Sequence, residues 1–322
     1  MTGFLLPTLS CSFPSKLNKY SAELEEYSIS WLNKFHILRE GSDFKRFRRG
    51  KFFMLTASTY PYCQLEELKL VNDWIIWLFN WDEQCDVSSL SNQPELIYRN
   101  HKRFLEILKG VKPNSVDLPL SHALYDIRKR LLEIDQKKGL NSFVYHVEKY
   151  FQGCVQEAIN RQRKIVPDLD TYLKLRQLTG AMNTAIELMI LCNHLRLPSF
   201  LLDYEIFRKL TLITNQVVCW DNDIISAYRE IKNGDVHNLI FVLHHHKQIS
   251  LPEAMKLGVE MRNQELENMI RLEASLPSFG EEIDTELAKY ISGLHAWIRG
   301  NLDWSILTDR YQSTEIATKI TV

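Results

Sequence analysis

Glycine and proline are scarce in this chain, 12 and 10 among 322 residues. Both interrupt regular structure, and here they fall mostly between periodic segments, which leaves room for long helices. Strand signals are missing too: no stretch of useful length alternates apolar and polar residues. No apolar run approaches membrane-spanning length, the longest clear one being WIIWLF at 74–79, so membrane insertion is not expected. The six cysteines, Cys11, Cys63, Cys85, Cys154, Cys192 and Cys219, form no CxxC and no close pair. That excludes a zinc ribbon or a disulfide framework and points to reduced thiols. The opening MTGFLLPTLSCSFPSK has no basic n-region and is interrupted by Pro7, so no signal peptide is expected. Charge of one sign is absent as well. With 39 Lys and Arg against 40 Asp and Glu, the net charge is -1, which argues against a nucleic-acid or acidic-lipid partner. A cytoplasmic protein is expected, and any positive site in it must be local.

What is present is an ordinary apolar share of 45% with a generous 11% of aromatics, including seven Trp. Helical periodicity predicts helices over roughly 21–37, 64–86, 94–109, 119–138, 141–163, 169–195, 200–232, 235–246, 251–275 and 282–306. Short connectors such as SSLSNQP, GVKPNS, RLPS, KNGD and LPSFG join them, and no repeat or low-complexity tract interrupts the series. The expected fold is therefore all-α, a single-domain antiparallel helical bundle over 1–322. Residues 1–20 form an N-terminal segment, and 312–322 a C-terminal tail expected to be mobile. Two helices are unusual. The segment 200–232 keeps a wide apolar face from Phe200 to Ile231, and 64–86 is apolar nearly all round between Val71 and Phe79 before turning acidic at WDEQCD. Two buried helices that end in polar clusters suggest a chemical site at one open end of the bundle.

Four clusters carry the chemistry. In DNDIISAYRE, Asn222, Ser226 and Glu230 recur every fourth residue, which places three oxygens in a column about 12 Å long on one helix face. Hard divalent cations prefer such oxygen ligands, although a solvated stripe near a helix end reads the same way. In WDEQCD, Asp82 and Asp86 share a face, repelling one another unless a cation intervenes or the helix end simply surfaces into water. In YLKLRQLTGAM, Gly180 sits inside a helical pattern, where it costs about 1 kcal/mol relative to Ala and suggests a break or a close backbone approach. Arg176 lies one turn before it. Near the C-terminus, Arg310 offers a planar fork suited to phosphate and Tyr311 a hydroxyl, or the two cap the bundle. The run His244–His246 is no metal site, because adjacent helical side chains diverge by about 100°. Arg161, Arg163 and Lys164 read as a solvated basic helix end.

Together the four clusters, spanning residues 82 to 311, resemble the class I terpene synthases, in particular their single-domain microbial and fungal sesquiterpene cyclases. DEQCD is similar to the family's aspartate-rich motif DDxxD or DDxxE, with Glu83 replacing the second Asp; NDIISAYRE matches NDxxSxxxE. The resemblance implies a bundle with an active-site cavity open at one end. It also implies metal binding by Asp82, Asp86, Asn222, Ser226 and Glu230, with direct coordination by Glu83 in question. Three Mg²⁺ per site are implied, with Mn²⁺ as the substitute. Arg176 falls at the pyrophosphate-sensing position, 46 residues before Asn222, with Thr179 and Gly180 at the linker and effector positions. Arg176, Arg229, Arg310 and Tyr311 would grip the diphosphate. The implied reaction is ionisation and cyclisation of an isoprenyl diphosphate, first of all farnesyl diphosphate, by a monomer or weak homodimer. The ten- and twenty-carbon diphosphates are the alternatives. A carbocation needs aromatic walls without reactive lone pairs, and Phe79 and Trp304 are the first candidates, followed by Phe53, Trp74 and Trp77. A prenyl chain elongase would carry a second Asp-rich motif instead of Asn/Ser/Glu. A non-catalytic binding protein derived from a cyclase would not need both metal motifs, and a solenoid would show a repeat.

Overall fold

The computed structural model describes residues 7–38, 42–87, 90–134 and 138–311. Among them are fourteen helices and no strand: α1 (Ser21–Lys34), α2 (Ser42–Gly50), α3 (Phe52–Thr59), α4 (Leu65–Val87), α5 (Pro94–Leu108), α6 (Pro119–Ile134), α7 (Lys138–Arg163), α8 (Leu169–Thr179), α9 (Met182–Cys192), α10 (Ser199–Asp203), α11 (Glu205–Lys232), α12 (Leu239–Lys247), α13 (Leu251–Ala274) and α14 (Glu281–Leu307). Local chemistry explains several ends. Asp168 caps α8 by accepting from the Thr171 amide at 2.9 Å, and Ser250 with Glu253 forms a reciprocal capping box at α13. Central α11 packs against α13 and α14, while α14 also packs on α3. The wide apolar face of α11 demands such neighbours, and residues such as Leu210, Val217 and Ile224 are fully or nearly fully buried.

The all-α expectation holds, with differences in segmentation. Helices α2 and α3 were not expected: SDFKRFRRG is dominated by charge, and the chain breaks at Lys51 with φ +45°. The segment 169–195 is two helices, α8 and α9, and 200–232 is likewise divided at the extended Tyr204 into α10 and α11. The N-terminal segment is tied down from its described part. Arg262 donates to Ser10 O at 2.5 Å, Arg299 to Cys11 O at 3.1 Å, and Phe13 stacks on His295 at 3.8 Å. The tail 312–322 lies outside the described residues. No helix among the described residues is long and apolar enough to cross a membrane.

Candidate active site

A cavity of about 670 Å³ opens where the polar ends of α4 and α11 face the break between α8 and α9. Its depth is apolar, formed by Leu55, Ile75, Leu78, Met182, Ala185 and Val218. Its mouth is charged, with Asp82 and Glu83 from α4, Arg176 from α8, Asn222, Arg229 and Glu230 from α11, and Arg310 beyond α14. Residues more than 200 positions apart in the chain thus share one opening, because α4, α8, α11 and α14 all end on that side.

The α11 side is densely hydrogen-bonded. Arg176 donates from Nη2 to Asn222 Oδ1 at 3.0 Å and from Nε to Asp223 Oδ1 at 3.0 Å. Asn222 Nδ2 in turn donates to the Tyr311 hydroxyl at 2.7 Å. Tyr311 is buried below the mouth, not on it, and the Arg229 guanidinium lies 5.4 Å from its ring centroid. Ser226 Oγ donates to Asn222 O at 2.6 Å, and Glu230 is approached by Arg229 at 3.4 Å and Asn238 at 2.9 Å. Two participants carried no expectation. Asp223 is fully buried and also accepts from the Tyr172 hydroxyl, while Asn238 is fully buried beside Glu230. The tetrad spacing of DNDIISAYRE draws the eye past Asp223, whose signal was its place on the same helix as the triad.

The helix break satisfies both readings of Gly180, one residue apart. Gly180 itself has an ordinary φ of −69°, and a Cβ there would stand 2.2 Å from Cys219 Sγ. The glycine is needed for close approach. The left-handed turn belongs to Ala181, with φ +54°, a conformation costing an alanine about 1–2 kcal/mol. Thr179 is buried, and among the described residues its Oγ1 has no hydrogen-bond partner.

Of the expected aromatic walls, Phe79 and Trp304 line the cavity, 5.7 Å apart, and Trp297, seven residues before Trp304, lines it as well. The Arg310 guanidinium sits 5.0 Å from the Phe79 ring. Trp74 and Trp77 are not walls: they stack on each other at 5.2 Å in the core and donate to Thr184 Oγ1 and Leu120 O. Their indole N–H groups needed buried partners, and α9 and α6 supply them. Phe53 is also off the cavity; its neighbour Phe52 packs behind Phe79 at 4.3 Å. The solvated basic helix end needs correction at one of its three positions, Arg161, which is half-buried, whereas Lys164 is exposed. Arg161 and Lys164 line the mouth, Arg161 donates to Ser91 O at 3.2 Å, and Arg163 is exposed. Of the three histidines, His244 lies on Ile249 O and His246 on Pro167 O, while the His245 ring packs on Phe241 and His246. Asp86 lies in the last turn of α4, but its side chain lies outside what the structure describes.

Burial pushes the carboxyls of Asp82 and Glu230 above the ordinary range. Arg310 opposes the rise at Asp82, and Asp235 adds to it at Glu230. Such carboxylates are costly as bare anions and gain from a nearby cation. Among the described residues no cluster of three or more His, Cys, Asp or Glu is placed to hold a metal. The available donors are instead amide, hydroxyl and carboxylate oxygens on one face of α11, with a carboxylate on α4 across the cavity. That donor set fits a hard divalent cation.

The family model described as terpene synthase family 2, C-terminal metal binding, matches residues 73–268. Germacrene A synthase of Nostoc punctiforme is 49% identical over 315 residues, which is 98% of each chain. The (+)-T-muurolol synthase of Roseiflexus castenholzii, named as (2E,6E)-farnesyl diphosphate cyclizing, is 33% identical across 94% of this chain and 92% of that one. The crystal structure of germacradien-4-ol synthase from Streptomyces citricolor shares the fold, with a TM-score of 0.83 over 93% of this chain and 98% of that one at 22% identity.

Proposed function

The chain belongs to the terpene synthase family, and from that premise we propose that it ionises and cyclises farnesyl diphosphate to a sesquiterpene hydrocarbon or alcohol, releasing pyrophosphate. The observation that carries this reading is the cavity whose depth is apolar and aromatic and whose mouth gathers Asp82, Arg176, Asn222, Arg229, Glu230 and Arg310. Its volume of about 670 Å³ suits one ligand of this size class, for which sites run roughly 300–1,000 Å³.

In this reading Asn222, Ser226 and Glu230 hold metal on the α11 side, and Asp82 with Asp86 holds it on the α4 side. The family's divalent metal is taken as Mg²⁺, three per site, with Mn²⁺ able to replace it; when bound it neutralises charge on the departing diphosphate. Arg176, Arg229 and Arg310 supply fixed donors to the diphosphate oxygens, while the Tyr311 hydroxyl accepts from Asn222 beneath them and holds that amide in place. The allylic C1–O bond breaks, and both of its electrons leave with the diphosphate. The remaining cation is folded against Phe79, Trp297 and Trp304, whose ring faces attract positive charge without offering it a bond. Loss of a proton or addition of a water molecule ends the sequence. Thr179 and Gly180 link the diphosphate-gripping Arg176 to the cavity wall at the helix break. Incubation with the ten-, fifteen- and twenty-carbon diphosphates and Mg²⁺, followed by gas chromatography–mass spectrometry, tests the reading. The expected result is a cyclic fifteen-carbon product; folded protein that turns over none of the three would remove the proposal.

A further inference from the structure

Asn238, at the N-cap of α12, does more than a cap requires. Its Oδ1 accepts from the Ile240 amide at 2.9 Å, a task that Ser, Thr or Asp performs as well. Its Nδ2 is spent elsewhere, donating to Glu230 Oε2 at 2.9 Å and to Asp223 O at 2.8 Å. Asparagine places the acceptor and two N–H donors on separate atoms of one short stem, which the single oxygen of a Ser or Thr hydroxyl cannot do. The side chain is fully buried, so neither Nδ2 bond competes with water. The adjoining Leu239 amide donates to Asp223 Oδ2 at 3.2 Å, and the other oxygen of Asp223 seats Arg176. The first turn of α12 therefore holds the carboxylate of Glu230 and the seat of Arg176 together.

We propose that Asn238 is a positioning residue for the metal site. It grips Glu230 by Oε2 and presents Oε1, which Arg229 approaches at 3.4 Å, to the metal. This inference depends on the metal reading of Glu230 given above. A neutral donor suits the task, because it fixes the carboxylate rotamer without cancelling the charge that binds the cation. Groups that orient a ligand in this way typically affect metal affinity or activity by about 10- to 100-fold.

The test uses Asn238→Asp and Asn238→Ser, both of which keep an acceptor for the cap and lose the amide nitrogen that reaches Glu230; the shorter Ser stem carries its one O–H on the capping oxygen. Thermal unfolding of the full chain is followed by circular dichroism while Mg²⁺ is titrated at fixed inorganic pyrophosphate. The expected result is that ligand-free variants unfold within a few degrees of the parent, while half-maximal stabilisation needs about 10-fold more Mg²⁺ or beyond. Agreement between the two variants assigns the effect to the lost donor, since only one adds a charge. The Mg²⁺ requirement of turnover shifts by the same factor. Variants that titrate like a responsive parent would overturn the positioning role and leave the proposed function standing. A parent that gains no stability from Mg²⁺ and pyrophosphate refutes the metal reading, and the proposal falls with it. If both variants lose their helical signal before heating, Asn238 is a folding residue and the proposal is wrong.

Discussion

Gly180 and Ala181 divide between them what one glycine was expected to do. Because a Cβ at 180 meets Cys219 Sγ at 2.2 Å, Gly180→Ala should destabilise by about 1–3 kcal/mol through overpacking. Removing the sulfur in Gly180→Ala/Cys219→Ala should recover most of that loss; denaturant unfolding of the two single changes and the double gives the coupling. Additive single effects would mean that the two groups do not clash. Glu230→Ala and Asn222→Ala are expected to lower kcat by at least roughly 100-fold while far-UV circular dichroism stays helical. Activity surviving both changes would refute the metal assignment. At this scale the sequence spoke through spacing: Asn222, Ser226 and Glu230 could be paired with Asp82 and Arg176 before any coordinates. Asp223 and Asn238 could not, because their importance lies in which carboxylate or guanidinium they touch, and a motif read one residue at a time holds no such contacts.

Helix α4 shows how one apolar run divides into core and wall. Its indoles at 74, 77 and 81 all donate to buried acceptors, Trp81 to the imidazole of His101 at 2.8 Å, whereas Phe79 turns to the cavity. Trp77→Phe removes the indole donation to Leu120 O and part of a buried ring, and should cost about 1–3 kcal/mol with an unchanged product profile. Phe79→Leu should do the reverse, altering the product ratio in gas chromatography with little loss of stability. A product shift from Trp77→Phe equal to that from Phe79→Leu would contradict the division. Periodicity identified α4 as buried but not which face met substrate, since an all-round apolar helix carries no moment to point with. The missing α2 and α3 have a similar cause. Their junction is fixed by distant partners, with Trp304 Nε1 donating to Gly50 O at 2.8 Å and Lys51 Nζ to Leu307 O at 3.0 Å. Helices stabilised mainly by α14 leave a weak local signal.

Across the whole molecule, buried ion pairs tie together the helices that carry the site, and they give the protein a pH signature. Asp73 on α4 is fully buried between Tyr27 of α1, which donates at 2.6 Å, and Arg130 of α6, which donates at 2.5 Å, with Asp126 also facing Arg130 at 3.0 Å. Burial pushes the Asp73 carboxyl up to about 7, with Arg130 opposing the rise. An unfolded aspartate titrates near about 3.9, so between those values the folded protein binds the extra proton. Stability then falls as pH rises, because the slope follows protons bound in the unfolded state minus those bound in the native state. The contribution of Asp73 is full below about pH 4 and is lost as pH climbs through about 7. In thermal unfolding at a series of pH values between 5 and 8, Asp73→Asn should therefore flatten the decline seen in the parent. Because Asn mimics the neutral carboxyl, the variant should lie nearest the parent at the acidic end and gain on it as pH rises. Parallel curves for parent and variant across that window would show that Asp73 is already ionised at pH 5. Arg130 would then outweigh burial at the joint between α1, α4 and α6, and α4 would reach the cavity mouth from a charged anchor instead of a titrating one.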